Sequence, residues 1–158
     1  MLFRSTGNAL ELFGKRIENE DGTSVETLGL FELYSKRQMM NRYSSIYLGM
    51  FGAMSIVGFK SQFAHIYDDG EGSVPALFQT LRGGGRKPGQ TEEGVRINNF
   101  YATNLLGPLL LINPLFSRYI LSLLGAGEHD LPCEQESMIA YEARLREFKD
   151  PKTGTEYH

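Results

Sequence analysis

The feature that most constrains the fold is an uncharged stretch, Tyr43–Phe59, in the middle of the chain. Its length lies at the lower end of the roughly 17–25 residues that a membrane-spanning helix needs. Its polar positions are Ser44, Ser45 and Ser55, so neither face of a helix here would carry a charge. Each of its glycines would cost a helix in water about 1 kcal/mol relative to alanine. We therefore predict a transmembrane helix at about residues 43–60.

The same stretch carries small residues at the spacing of one helical face. Ser45, Gly49 and Ala53 follow one another at intervals of four, and Gly52 lies beside them. Small side chains let two helices approach closely in lipid, where van der Waals contact is a main source of attraction. We predict that Ser45, Gly49, Gly52 and Ala53 pack against a partner helix.

The charges that flank the stretch predict its orientation. Basic residues precede it and acidic residues follow it: Lys36, Arg37 and Arg42 on one side, and Asp68, Asp69 and Glu71 on the other. By the positive-inside rule, the N-terminal end of the helix faces the compartment that retains positive segments. In a mitochondrial inner membrane that compartment is the matrix.

Turn signals and helical periodicity divide the chain into five segments and predict an all-α membrane protein. It has one long transmembrane helix, a broken apolar or re-entrant segment and a C-terminal amphipathic helix. The first two segments are an arm (1–22) with a short helix near 9–17, and a long helix (23–67) that starts at a capping box of Thr23 and Glu26. A Gly- and Pro-rich linker (68–96) follows, with one helical turn near 76–81. The last two are a broken apolar membrane-associated segment (97–127) and an amphipathic helix with a polar tail (128–158).

Prolines and asparagines interrupt the apolar segment 97–127. Pro108, Pro114, Asn104 and Asn113 would break the hydrogen-bond ladder of a helix in lipid. We therefore expect a broken, re-entrant or protein-covered segment and not a regular crossing.

The last helix is predicted from one apolar face. Met138, Tyr141, Leu145 and Phe148 recur at helical spacing, with Glu and Arg residues on the opposite face. This pattern is typical of a surface helix that packs on a partner through its apolar side.

The linker contains a glycine triplet followed by basic residues, in "RGGGRKPGQ". A flexible linker is favoured over a phosphate-binding loop, because the Gly-Lys-Ser/Thr ending and a preceding apolar strand are missing. Lys60, Arg82, Arg86 and Lys87 are instead predicted to contact anionic lipid headgroups. No cofactor is expected apart from a bound phospholipid such as cardiolipin.

Composition gives no support for catalysis or for nucleic-acid binding. A net charge of −3 argues against a nucleic-acid partner. The histidines, His65, His129 and His158, are scattered, and the ligands of "GEHD" (127–130) have no second cluster with which to bind a metal. Cys133 is the single cysteine and has no evident histidine partner. We assign no catalytic or metal-binding residue, and a haem or quinone role for His65 is less favoured than an interfacial polar position.

The motif "RYSSIYLGMFGA", Arg42–Ala53, resembles the transmembrane signature of subunit e of the mitochondrial ATP synthase. The resemblance maps Arg42, Tyr43, Ser44, Leu48 and Gly49 onto the family motif. It implies a non-catalytic subunit of a proton-transport complex in the mitochondrial inner membrane, with its N-terminus toward the matrix. It further implies that the helix packs against a subunit g-like helix and other membrane subunits, and supports dimerisation and the curvature of cristae.

The chain departs from this family in glycine spacing and in length. Gly49 and Gly52 are three apart, so the small-residue motif persists only as Gly49 and Ala53. Two alternatives remain open: a supernumerary subunit of a respiratory complex, and a soluble helical interaction domain. The N-terminus lacks the features of a secretory signal, and we expect import to depend on an internal signal without cleavage.

Overall fold

The computed structural model describes residues 2–70, 72–126 and 131–156, and this part of the chain is built mainly from β-strands. Three helical elements accompany them: a 3-10 helix at Gly7–Phe13, α1 at Pro114–Leu123 and α2 at Glu134–Lys149. The strands are β1 (Phe3–Thr6), β2 (Arg16–Glu18), β3 (Ser24–Glu26), β4 (Leu33–Arg37), β5 (Tyr43–Phe51), β6 (Met54–Gln62), β7 (Ala64–Asp68), β8 (Phe78–Arg82), β9 (Glu92–Glu93), β10 (Val95–Ile97) and β11 (Phe100–Thr103). The all-α prediction is therefore wrong.

The strands form three sheets, in the orders β1-β11-β10, β3-β2-β4-β7 and β6-β5-β8-β9. Most neighbouring strands are antiparallel, but β1 pairs with β11 in parallel and β2 pairs with β4 in parallel. The longest pairing is the hairpin of β5 and β6, which runs from Tyr43 opposite Gln62 to Phe51 opposite Met54. This hairpin occupies the stretch for which we predicted a transmembrane helix. Among the described residues, no helix has both the length and the hydropathy to cross a bilayer.

A two-residue turn divides the uncharged stretch into two strands. Phe51 pairs with Met54, so that Gly52 and Ala53 lie at the tip of the hairpin. Gly52 has a φ of 57°, the left-handed conformation that a type II′ turn requires at its first central residue. Glycine adopts this conformation without steric cost, so the turn reverses the chain where a helix would have continued it.

The stretch lacks a polar stripe because both faces of the hairpin are buried. Tyr47 and Ile56 belong to a core cluster that includes Phe116 and Ile120 of α1. Ile46 and Val57 belong to another cluster, which includes Tyr141 and Phe148 of α2. Strands that are covered on both faces read as continuous apolar runs rather than as alternating ones.

The predicted small-residue face does not exist, because the residues lie on a strand and a turn. Ser45 and Gly49 are in β5, whereas Gly52 and Ala53 form the hairpin tip. Gly49 leaves room for the ring of Tyr47, which lies where a side chain at position 49 would point. The glycine therefore serves packing within its own strand.

The predicted apolar segment 97–127 is only partly buried, since Leu111, Leu115 and Leu124 are exposed. It forms β11, a loop and α1, with Leu105, Leu109 and Phe116 in the core. The Asn113 side chain accepts a hydrogen bond from Val57 N (2.8 Å) and donates to Val57 O (2.7 Å), so its amide is satisfied by the outer strand β6. The predicted re-entrant segment of an all-α membrane protein is thus replaced by a strand, a loop and a helix that contribute to the core.

The last helix does pack through the face described above. Tyr141 and Phe148 of α2 are buried against the hairpin, with Met138 and Leu145 partly buried beside them. The Tyr141 hydroxyl also donates to Ser55 O at 3.0 Å. The polar segment that follows α2 returns to β5, where Thr155 O accepts from Ile46 N (2.9 Å).

Three further helix predictions, between residues 23 and 81, are also wrong. The predicted capping box begins no helix, because the Thr23 hydroxyl donates to Asp21 in the turn between β2 and β3. Residues expected as a long helix from 23 to 67 instead form β3 to β7. The helical turn predicted near 76–81 is replaced by β8.

Candidate functional site: a pocket at the glycine loop

A cavity of about 370 Å³ opens beside the loop between β8 and β9. We call residues 83–90 the glycine loop. The cavity is lined by Gly83, Gly84, Gly85, Lys87, Pro88, Gly89 and Gln90 of this loop, together with Tyr43, His65, Thr91 and Glu156. It therefore combines exposed backbone with several polar and ionisable side chains.

Glycine at specific positions gives the loop its shape. Gly83 has a φ of 87°, and a Cβ there would collide with the carbonyl oxygen of Ile46. At the outer end, Gln90 N donates to Lys87 O (3.2 Å) across Pro88 and Gly89, and Gly89 has a φ of 75°. Proline followed by a glycine of positive φ is the signature of a type II turn.

A fully buried ion pair holds the inner side of the loop. Lys60 Nζ donates to Glu93 Oε2 (2.5 Å), Gly85 O (2.6 Å) and Gly84 O (3.0 Å), which satisfies all three of its donors. The other carboxylate oxygen of Glu93 accepts from Thr103 Oγ1 and from the Asn104 amide. Lys60 thus binds the loop through two carbonyls, and its predicted contact with lipid is wrong.

A second buried cation holds the opposite side of the loop. The Arg86 guanidinium donates to Glu92 (2.7 Å) and to Val74 O (3.1 Å), and Asp68 lies 3.6 Å away. The side chain of Arg86 has no exposed surface, whereas that of Glu92 is 38% exposed. Arg86 is thus inaccessible to a headgroup, and it fixes the loop to the segment before β8.

His65 enters the pocket as a neutral base. Its side chain is only 8% exposed, and its Nδ1 lies 3.3 Å from Gln62 Nε2. Burial, and then the positive charge of Lys60, lower the pKa of His65. His65 is therefore a neutral hydrogen-bonding group beside the Tyr43 ring.

The segment after α2 contributes Glu156 to the lining of the pocket. We call residues 150–156 the C-terminal strap. Arg82 donates to the carbonyls of Phe148 (2.5 Å), Asp150 (2.6 Å) and Thr153 (2.6 Å), while Glu156 forms a β-bridge with Ser45. The Arg82 guanidinium is thereby committed to backbone carbonyls and not to lipid, and the polar tail predicted from sequence is a structured segment.

The structure separates most of the predicted motif residues from this site. Arg42 donates to Ser61 Oγ (2.6 Å), Ser44 pairs with Ser61 across the hairpin, and Leu48 packs against α2. Tyr43 and Lys87 do line the pocket. Sequence reasoning missed Glu93 and Glu156 entirely, because neither stands in a recognisable motif.

The remaining chemical candidates lie elsewhere. Cys133 is exposed and precedes α2. Glu71, His129, His158 and the "GEHD" stretch lie outside the described residues. Among residues 2–70, 72–126 and 131–156, no group of His, Cys, Asp and Glu side chains is arranged to hold a metal ion.

Comparison with known proteins gives one informative similarity. No family model matches the chain. Over 111 residues the chain is 27% identical to the GatD subunit of lipid II isoglutaminyl synthase (glutamine-hydrolyzing) from Staphylococcus aureus (strain N315). The match covers 70% of this chain and 44% of the relative, so the chain spans less than half of that protein's length.

The β-sheet fold and this similarity overturn the resemblance to ATP synthase subunit e. The subunit g-like partner, the other membrane subunits and dimerisation through a helix all depended on a span that the described residues do not contain. The placement in the mitochondrial inner membrane depended on the same span and is withdrawn with it. A single-span respiratory subunit and a purely helical interaction domain are overturned by the same strands.

Proposed function

We propose that this chain binds glutamine in the glycine-loop pocket and acts as a ligand-binding part of a protein related to glutamine-hydrolysing synthases. The observation that carries the proposal is the chemistry of the cavity. Its lining combines a basic side chain (Lys87), an acidic side chain (Glu156), a neutral histidine (His65) and the backbone of the glycine loop. The similarity to the GatD subunit of a glutamine-hydrolysing synthase supports the choice of ligand. A cavity of about 370 Å³ lies in the range that suits a small ligand.

The two charges match the two ends of an amino acid. Lys87 Nζ lies 5.0 Å from the centre of the Tyr67 ring and forms no ion pair with the described residues. Glu156 likewise has no cationic partner among them. An α-carboxylate would pair with Lys87, and an α-ammonium group would pair with Glu156, because opposite charges attract most strongly where water is partly excluded.

The neutral side chains match the amide of glutamine. Gln90 lines the pocket, and its side-chain oxygen is buried without a hydrogen-bond partner among the described residues. An amide N–H would satisfy such an acceptor, and leaving it unsatisfied costs about 1–3 kcal/mol. His65, Tyr43 and Thr91 provide further donors and acceptors for the amide.

We assign binding and not amide hydrolysis to this pocket. Hydrolysis through a covalent intermediate needs an activated nucleophile next to a base. Cysteine and serine are absent from the described residues that line the cavity, and Cys133 is not among them. Thr91, Lys87 and Glu156 do line the cavity, and we assign them to binding of the ligand. We therefore propose that the chain is not itself a catalyst.

Calorimetric titration with L-glutamine tests the proposal. We expect a dissociation constant between about 1 μM and 1 mM, the usual range for such small substrates. Lys87→Ala should weaken binding about tenfold, since it removes the carboxylate partner. Lys36→Ala is the matched control, because Lys36 also lies over the Tyr67 ring, 5.5 Å from its centre, but does not line the pocket. Absence of binding, or equal loss in both variants, would overturn the proposal.

A further inference from the structure

The C-terminal strap takes the place of a strand along part of β5. In the sheet, β8 pairs with β5 only at Leu48, Gly49 and Met50, and it ends at Arg82 where the glycine loop begins. The first half of β5 would therefore have an open edge. The strap fills this edge, with Ile46 N donating to Thr155 O and Ser45 bridged to Glu156.

Arg82 fixes the strap at the point where β8 ends. Its guanidinium binds three carbonyls, one at the end of α2 and two in the strap. A planar guanidinium presents several donors in a rigid arrangement, so one side chain can hold several backbone groups of a bend. Arg82 thus connects the strand before the glycine loop with the chain segment that faces that loop.

The strap brings a carboxylate to a pocket that otherwise offers basic and neutral groups. Glu156 is exposed and lines the cavity at the end of the strap. The glycine loop contributes Lys87, and β7 contributes neutral His65. Among the described lining residues, Glu156 is the one acidic side chain.

We infer that Glu156 is the specificity residue of this pocket, which selects ligands with an α-ammonium group, and that Arg82 positions it through the strap. The inference rests on the proposed binding of glutamine. The ligand class is therefore an α-amino acid with a side-chain amide, and not the monoamide of a simple dicarboxylic acid. Glu156 contacts the ligand, whereas Arg82 acts through the strap and is a positioning residue.

The test compares L-glutamine with glutaramate, which is glutamine without its α-ammonium group. We expect the parent protein to bind L-glutamine about tenfold more tightly than glutaramate. In Glu156→Gln, which keeps the size of the side chain, this preference should fall to less than about twofold, with glutaramate binding unchanged. Because Glu156 is exposed, the substitution leaves the core intact.

Arg82→Met tests the positioning role with an independent readout. Releasing the strap should reduce the hydrogen-exchange protection of the Ile46 amide, which donates to Thr155 O, and should also abolish the preference for L-glutamine. Arg144→Met is the matched control, because Arg144 pairs with Glu147 on α2 and contacts neither strap nor pocket. Glu156→Gln should leave Ile46 protected.

The outcomes separate the two proposals. If neither ligand binds the parent protein, both glutamine binding and the role of Glu156 are overturned. If both ligands bind with equal affinity, or if Glu156→Gln keeps the preference, glutamine binding stands and the specificity role fails. If Arg82→Met exposes Ile46 without changing the preference, the positioning role fails alone.

Discussion

Glu92 and Glu93 are consecutive residues of β9, yet they hold their cations in different surroundings. Glu93 and Lys60 are both without exposed surface, whereas Glu92 keeps 38% of its side chain exposed while it binds buried Arg86. Successive strand residues point to opposite faces, so the two carboxylates support the glycine loop from opposite sides. Glu92 therefore contacts solvent and shares Arg86 with Asp68, whereas Glu93 and Lys60 are shielded from water.

This difference predicts unequal energetic consequences for similar changes. Breaking a buried pair leaves an uncompensated charge and costs about 3–5 kcal/mol. When Glu92 loses its charge, buried Arg86 keeps Asp68 at 3.6 Å as an anionic neighbour, so the cost there should be smaller, about 1 kcal/mol. The glycine loop should therefore be rigidly held near Lys60 and more tolerant near Arg86.

The largest effect is expected for Glu93→Gln. The variant keeps the shape of the side chain but leaves the Lys60 charge buried without an anion, so the free energy of unfolding should fall by about 3–5 kcal/mol. Urea denaturation measures the loss. The double variant Lys60→Met/Glu93→Gln removes both charges and should recover part of it. A single-variant loss below about 1 kcal/mol would mean that water reaches the pair.

Substituting alanine for Gly83, next to β5, and for Gly89, at the outer end of the loop, should lower the stability of the protein by different amounts. Gly83→Ala places a Cβ against Ile46 O at a φ of 87°, and we expect a loss of about 2–3 kcal/mol. Gly89→Ala has a φ of 75° but open space around the Cβ, so only the left-handed backbone cost of about 1 kcal/mol applies. Thermal unfolding of both variants measures the difference. Equal losses would show that the loop is not held more firmly near β5.

A smaller effect is expected for Glu92→Gln. Arg86 would keep Asp68, 3.6 Å away, as a negatively charged neighbour, and water can reach position 92. We predict that the free energy of unfolding, measured by urea denaturation, falls by about 1 kcal/mol relative to the parent protein. This difference should become smaller at high salt, because salt screens the ion pair of the parent protein. A loss as large as that of Glu93→Gln would remove the distinction between the two sides.

The smallest effect concerns the pH dependence of His65. Its pKa is lowered in the folded protein, first by burial and then by the charge of Lys60, so the unfolded chain takes up the proton first as the pH falls. The contribution of His65 to stability is thus complete above about pH 6.5 and is lost as the pH falls through the folded-state pKa. Unfolding free energies of the parent and His65→Asn, measured between about pH 5 and about pH 7.5, should converge toward the acidic end. Parallel curves would contradict the lowered pKa.

The sequence predicted α2 better than the β5–β6 hairpin, because the helix is encoded by a local pattern of residues and the hairpin depends on which parts of the chain cover its two faces. The apolar face of Met138, Tyr141, Leu145 and Phe148 is a local pattern, and the structure buries Tyr141 and Phe148 within a helix at Glu134–Lys149. In β5 and β6 the alternation of a strand is erased because both faces are covered. The length of the uncharged stretch then fits a membrane helix as well as a hairpin, and only the turn at Gly52 distinguishes them.

The candidate site could be predicted only in part. The glycine triplet and Pro88 indicate an irregular connection, and the structure has the glycine loop there. However, Lys60 and Glu93 are 33 residues apart, and Arg82 reaches the strap 71 residues further along the chain. Local sequence carries no information about such pairings, which only the folded sheets bring together.

The Asn113 amide has a consequence for the association of this protein with copies of itself. It bonds to both the N–H and the C=O of Val57 on β6, the outer strand of its sheet. A side chain thereby imitates one residue of an adjoining strand and occupies hydrogen-bonding groups that another molecule would otherwise use. Together with Leu106 N, which donates to Phe59 O, this asparagine protects the outer edge of the β5–β6 hairpin from pairing with another molecule.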